Sequence, residues 1–317
     1  MRTSSIVSKA AVCGAAMAAM LVSAGCSRST AQRTFNTPEE AVRALVDATK
    51  AKDLDQVISI FGNDGRELAD SSDQATARRN REVFTAAAAE RWQLVDQQDG
   101  SKVLVIGNES WPFPVPLVKD QAGWRFDTAA GKEEVVARRI GRNELAAIRI
   151  CRTYVDAQRI YAQRGHDGQP AGLYAKAFRS DQGRQNGLFW HSARGEKRSP
   201  LGDLVAQAAE EGTDLAKSGA PPSPFHGYYF KILTAQGAAA PGGARDYIVD
   251  GKLSGGFALV AWPAQYDVTG IMTFIVNQDG VVYQKDLGPK TTQLANAMKL
   301  YNPDQTWARA EAVSSKR

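Results

Sequence analysis

The chain predicts an α+β fold made of two units, each joining helices to antiparallel strands. Three observations carry this. The early part of the sequence sets apolar residues at helical spacing, then switches to alternation with a period of two. A long amphipathic run follows, Lys132 to Gly165. Beyond it a strand-rich stretch culminates in "GGFALVAWPAQYDVTGIMTFIVNQDGVVYQKDLGP", Gly255 to Pro289. These patterns predict a leader (1–26), a tether (27–37), a first unit (38–131), a second unit (132–310) and a polar tail (311–317).

The leader comes first. Arg2 and Lys9 give a positive start, and Ala10 to Ala24 is a small apolar run ending in "LVSAGCS". That is the plan of a secretory signal peptide. The run is shorter than the roughly 20 residues that span a bilayer. Ala24-Gly25-Cys26 resembles a bacterial lipobox, which implies an acyl chain on Cys26. Ser23 stands where Leu or Val is usual, so cleavage by the ordinary signal peptidase, giving a soluble periplasmic protein, is the alternative. Ser27 after the cysteine resembles outer-membrane sorting. Of three cysteines, Cys13 leaves with the leader and Cys26 takes the lipid, so Cys151 has no disulfide partner. Net charge is +5. Without Arg2 and Lys9 the balance is too small to imply nucleic acid.

In the first unit, Thr37 is an N-cap, Pro38 suits a first turn and Glu40 completes a capping box. "DLDQVISIFG" predicts a second helix stopped at Gly62. "DQATARRNREVFTAAAAERW" predicts a third, capped by Ser72 or Asp73. "WQLVDQQ", "KVLVIGN", "FPVPLVKD" and "GWRFDTA" then predict four antiparallel strands, with a turn at Asp99-Gly100. Helices followed by such a meander resemble the NTF2-like or cystatin-like fold, in which the Trp-x-Phe strand packs on the first helix.

The long helix has two faces. Val136, Ile140, Ala147, Cys151, Tyr154 and Tyr161 share the apolar one. Arg138, Arg142, Arg149, Arg152 and Arg159 share the other, a candidate face for an anionic partner, although Asp156 lies in the stripe where helix ion pairs form. Cys151 on the apolar face reads as a packed thiol rather than a nucleophile. After an irregular stretch, "SPLGDLVAQAAEEG" predicts a short helix capped by Ser199. "HGYYFKILTAQG", "RDYIVDGKL", "GGFALVAWPA", "IMTFIVNQDG" and "VVYQKDLG" predict strands. Asp279-Gly280 predicts a primed hairpin turn with both residues at positive φ.

Strings along nearly the whole chain are similar to the DUF2950 family of bacterial envelope proteins. They include "TPEEAVRALVDA", "WPFPVPLVK", "GWRFDTAAGKEEVVARRIGRNEL", "SPLGDLVAQA", "APGGARDYIVDGK" and the Gly255–Pro289 stretch. The resemblance brings no activity and no catalytic residues. Asp267 stands where the family pattern usually has glycine. The long helix followed by "GYYFKI" and "GIMTFIVNQDGVVY" also resembles the globular part of type IV pilins and pseudopilins. The membrane half-helix that forms a pilus core is missing here.

His166, His191 and His226 lack zinc-ligand spacing, and no metal or cofactor is expected. Asp64, Asp70 and Asp73 lack the calcium-loop pattern. "APGGARDY" has no P-loop lysine and reads as a flexible turn. Arg139 and Glu144 suit an interface clamp, and Trp111, Trp190 and Trp262 are candidates for stacking on sugars. The expectation is an envelope lipoprotein, periplasm-facing, acting as a non-catalytic binding or scaffold module. Its partners are the membrane, through the lipid, and an envelope protein or glycan. The alternative is an enzyme acting on glycans through carboxylates such as Asp156 or Glu196.

Overall fold

The computed structural model describes residues 31–66, 74–192, 198–210 and 223–310. The fold class is α+β, with helices beside antiparallel sheets. The leader, Cys26, Asp70 and the expected caps Ser72 and Asp73 lie outside the described residues.

Helix α1 (Pro38–Lys50) begins as expected. The Thr37 hydroxyl accepts from the Glu40 N–H at 3.2 Å, and the Glu40 carboxylate accepts from the Asn36 N–H at 3.1 Å, one residue ahead of the usual donor. α2 (Leu54–Phe61) is capped by Asp53 and stops at Gly62, whose φ is +75°. α3 spans Gln74–Glu90. The sheet has five strands where four were expected: β1 (Trp92–Asp96), β2 (Lys102–Ile106), β3 (Trp111–Pro112), β4 (Leu117–Asp120) and β5 (Gly123–Phe126). Their order is β1-β2-β4-β5, with β3 on β2. The segment read as one strand, "FPVPLVKD", is broken because its prolines have no N–H for a ladder, so pairing resumes only at Leu117. Ala41, Val42 and Leu45 of α1 pack with Ile60, Leu104, Leu117 and Phe126 in one core. The tether is engaged with this core from Gln32 onward. Gln32 Nε2 donates to the Phe126 carbonyl at 2.6 Å, and Phe35 pairs with Trp124.

Helix α4 (Thr128–Ala162) starts four residues before the expected Lys132. Asp127 caps it, accepting from the Ala130 N–H at 3.2 Å. Gly131, which looked like a boundary, lies inside the helix because nothing larger fits. A Cβ there would come within 2.7 Å of Val115. At 35 residues the helix is about 52 Å long. Its first turn touches the first core, where the Thr128 hydroxyl donates to the Phe61 carbonyl at 2.7 Å. Its later turns pack on the second sheet. α5 (Gly202–Glu210) starts two residues after the expected Pro200. Ser199 is buried, and its carbonyl accepts from the Gly202 N–H at 2.9 Å.

The second sheet contains β6 (Tyr228–Leu233), β11 (Ala258–Pro263), β12 (Met272–Asn277), β13 (Tyr283–Asp286) and β15 (Ala308–Arg309). It is antiparallel in the order β15-β13-β12-β11-β6. Beside it, β14 (Leu300–Tyr301), β7 (Ala235–Gln236) and β8 (Arg245–Asp246) form a three-stranded sheet, with β14 parallel to β7. The residues of β11 are apolar on both faces, and every one of them is buried. α4 packs on β11 and β12 while α6 (Thr291–Ala297) packs on β11, so side chains pointing either way are covered. Lys231 ties α6 down by donating to the carbonyls of Ala295 and Asn296 at 2.9 and 2.7 Å.

Two turns differ from expectation. Gly280 has φ +80° but Asp279 does not share it, and β12 and β13 pair only from Ile275 and Tyr283 outward. The connection is therefore wider than a primed two-residue turn. That turn occurs instead inside "RDYIVDGKL", which was read as one strand. β9 (Ile248–Val249) and β10 (Lys252–Leu253) form a hairpin around Asp250 (φ +50°) and Gly251 (φ +72°). Asp267, where the family pattern has glycine, has φ +61°, and its N–H donates to the Gly270 carbonyl at 3.0 Å. A positive φ is what glycine adopts without cost and Asp tolerates better than most residues. The "APGGARDY" segment is pinned by buried Gln236, whose amide donates to the carbonyls of Pro241 and Gly243 at 3.0 and 2.6 Å. No helix among the described residues is long and apolar enough to cross a membrane.

Candidate functional site

The expected arginine face divides. Arg142, Arg149 and Arg152 are exposed. Arg138 is half-buried and committed. It pairs with Glu134 at 2.7 Å, donates to the Pro112 carbonyl at 2.7 Å and lies 5.5 Å from the Trp111 ring centre. Arg159 donates to the Gln278 carbonyl at 2.9 Å and pairs with Asp156 at 3.6 Å. The apolar face holds: Ile140, Ala147, Cys151, Tyr154 and Tyr161 are buried, and Val136 is half-buried. Burial pushes the Cys151 thiol up to about 12, so it stays protonated and unreactive at neutral pH.

Other candidates serve the fold. Glu144 is a clamp, though not with Arg139. Its carboxylate accepts from the N–H groups of Ile271 and Met272, both at 2.9 Å, where β12 begins. Of the tryptophans, Trp262 is only 5% exposed and belongs to the core, while Trp111 is 45% exposed. Glu196 lies outside the described residues. No group of three His, Cys, Asp or Glu side chains among the described residues is placed to hold a metal ion.

Two concavities flank α4. One is a groove of about 740 Å³ beside its first half, lined by Val136, Ile140 and Ile271 together with Lys132, Arg139, Glu133 and Asp267. Its charges balance and no set of polar groups converges. The other, about 310 Å³, lies at the C-terminal end of α4. Three segments build it. The helix end supplies Tyr161 and Arg164. The following loop supplies His166, Gln169, Tyr174, Lys176 and Arg184. The β9–β10 hairpin supplies Gly251 and Lys252.

The loop is irregular but heavily bonded. His166 stacks on Tyr161 with ring centres 4.0 Å apart, and its Nε2 lies 3.0 Å from the Tyr161 carbonyl. The Tyr161 hydroxyl donates to the Gln185 carbonyl at 2.8 Å. Asp167, at φ +49°, accepts from the Gln185 N–H at 3.1 Å and from Arg184 Nε at 3.3 Å. Buried Gln158 bonds both ways with the Ala175 backbone, at 2.8 and 2.9 Å. The Tyr174 N–H donates to the Leu253 carbonyl at 2.8 Å, joining loop to hairpin. Burial also raises the Tyr161 hydroxyl above its ordinary range.

Among the described residues, four cations line the cleft and no Asp or Glu does. Asp167 offsets only Arg184. Such a site attracts a negative group and holds it by charge-assisted hydrogen bonds. In the sequence His166 drew notice only through its lack of zinc-ligand spacing, and the rest of the cleft was not singled out. The available signal was the Asp-Gly pair at 250–251, which folds Lys252 back toward the loop.

A search of curated proteins and of solved structures returned no match. The NTF2-like, cystatin-like and pilin-like resemblances thus rest on sequence pattern alone. A family model described as "Protein of unknown function (DUF2950)" matches residues 32–310, which takes in both cores and the cleft, and the chain belongs to the DUF2950 family.

Proposed function

We propose that the protein is a non-catalytic binding module at the periplasmic side of the cell envelope, taking an anionic ligand in the cleft at the end of α4. The observation that carries this is the set of Arg164, Lys176, Arg184 and Lys252 around half-buried His166 and Tyr174, with no carboxylate among the described lining residues. Attachment through a lipid on Cys26 follows from the "SAGC" leader, and Ser27 supports the outer membrane as destination. A secreted periplasmic form is the alternative. The exposed Arg142, Arg149 and Arg152 offer a broader second surface to an anionic partner. The enzyme reading needs two carboxylates in one cleft, whereas Asp156 is exposed and paired with Arg159.

Two measurements test this. Labelling with a fatty-acid analogue is expected to mark the wild type and miss Cys26→Ala; equal labelling would remove the lipid anchor. Titration of the isotope-labelled mature chain with phosphate, sulfate and glucuronate is expected to shift the amides of Gln169, Gly251 and Lys252. The shifts should vanish in an Arg164→Gln/Lys252→Gln variant. Shifts confined to the Arg142–Arg152 face would move the site there.

A further inference from the structure

Resting on the reading of the cleft as an anion site, we infer that its ligand is a pyranose sugar bearing an acidic group, either a carboxylate or a phosphate. A bare inorganic anion fits the cleft poorly. The cations Arg164, Lys176, Arg184 and Lys252 are all exposed and stand at its rim, while the inner lining holds Tyr161, His166, Leu173, Tyr174 and Leu253, all buried or half-buried. A small anion seated among these groups would lose hydration against apolar surface with little to replace it. A sugar ring has what both zones need. Its C–H face covers aromatic and aliphatic groups, and its acidic substituent reaches the rim.

Polar groups between the zones agree. Gln169 lines the wall with an amide, which both donates and accepts as a sugar hydroxyl does. Lys176 already donates to the Gly251 carbonyl at 2.9 Å and Arg184 is paired with Asp167, which leaves Arg164 and Lys252 to meet the charge. A volume of about 310 Å³ lies at the small end of ligand sites, suited to one or two sugar rings.

The test is calorimetric titration of the mature chain with four probes: D-glucuronate, glucose 6-phosphate, glucose and inorganic phosphate. At least one of the two acids is expected to bind about tenfold or more tightly than glucose and than phosphate. The stronger acid names the source. Arg164→Gln/Lys252→Gln, at two exposed positions, is expected to bring the acids down to the level of glucose. Gln169→Ala is expected to weaken the acids and leave phosphate unchanged. Phosphate binding as tightly as the acids would overturn the sugar assignment and leave the anion cleft standing. Acids that bind the double variant as well as wild type, or no binding of any probe, would overturn both.

Discussion

Tyr154 and Arg149 lie five residues apart on one helix and differ completely in surroundings. Tyr154 is 1% exposed, its hydroxyl donates to the Ala258 carbonyl at 3.3 Å, and Gln158 donates to it at 3.0 Å. Arg149 is exposed. Tyr154→Ala is expected to cost about 3 kcal/mol or more, and Arg149→Ala to stay within about ±0.5 kcal/mol. Thermal melts that reversed this order would turn the helix around. Cys151 supplies a pH test. Its folded-state pKa is raised from 9.0 to about 12, so the stability held by the protonated thiol is complete below pH 9 and is lost as pH rises toward 12. In a mature chain carrying Cys26→Ala, a maleimide near pH 8 is expected to spare Cys151 until denaturant is added. Modification of the native protein would disprove the burial. Both residues were legible from 3.6-residue spacing. Gln158 was not, because spacing cannot tell that a polar side chain one turn beyond Tyr154 will find the Ala175 backbone to bond with.

At the scale of elements, hydrophobic pattern recovered the longer helices and the main strands, and failed where backbone chemistry decided. Prolines broke the expected third strand, and Asp250-Gly251 folded another into a hairpin. Helix α6 and strands β14 and β15 went unread. They are two to seven residues long, too short for a period to register, and they owe their place to contacts such as Lys231 on the end of α6. Gly131 gives a prediction that opposes helix propensity. Alanine inside a helix is worth up to about 1 kcal/mol over glycine. Here the new Cβ would meet Val115 Cγ2 at 2.7 Å and Cγ1 at 2.8 Å. Gly131→Ala is therefore expected to lower the melting temperature. A rise would mean that α4 does not press so closely on Val115, between β3 and β4.

At the scale of the whole molecule, the described residues form two separate large cores, one drawn from residues 35–126 and one from 147–310. Their existence was legible in the strand-rich stretches that lie on either side of the long helix. The cleft was not, because it forms where three segments distant in sequence meet. We propose that the cores fold as distinct units. Gly280→Val tests this, since a β-branched residue at φ +80° is strained although the nearest side-chain atom is 3.7 Å away. Limited proteolysis of the variant is expected to leave an N-terminal fragment ending near Lys132–Arg142. Digestion of both halves together would make the chain one cooperative body. The continuity of α4 has a consequence of its own. A helix advances about 100° and 1.5 Å per residue, so the angle between the two cores is set by the number of residues between Gly131 and Ala147. One residue added near Arg142 would swing one core around the axis by about 100°. Seven added residues make nearly two whole turns, and would move the cores about 10 Å apart while leaving them facing almost as before. The helix thus works as a spindle whose length is free to change but whose phase is not.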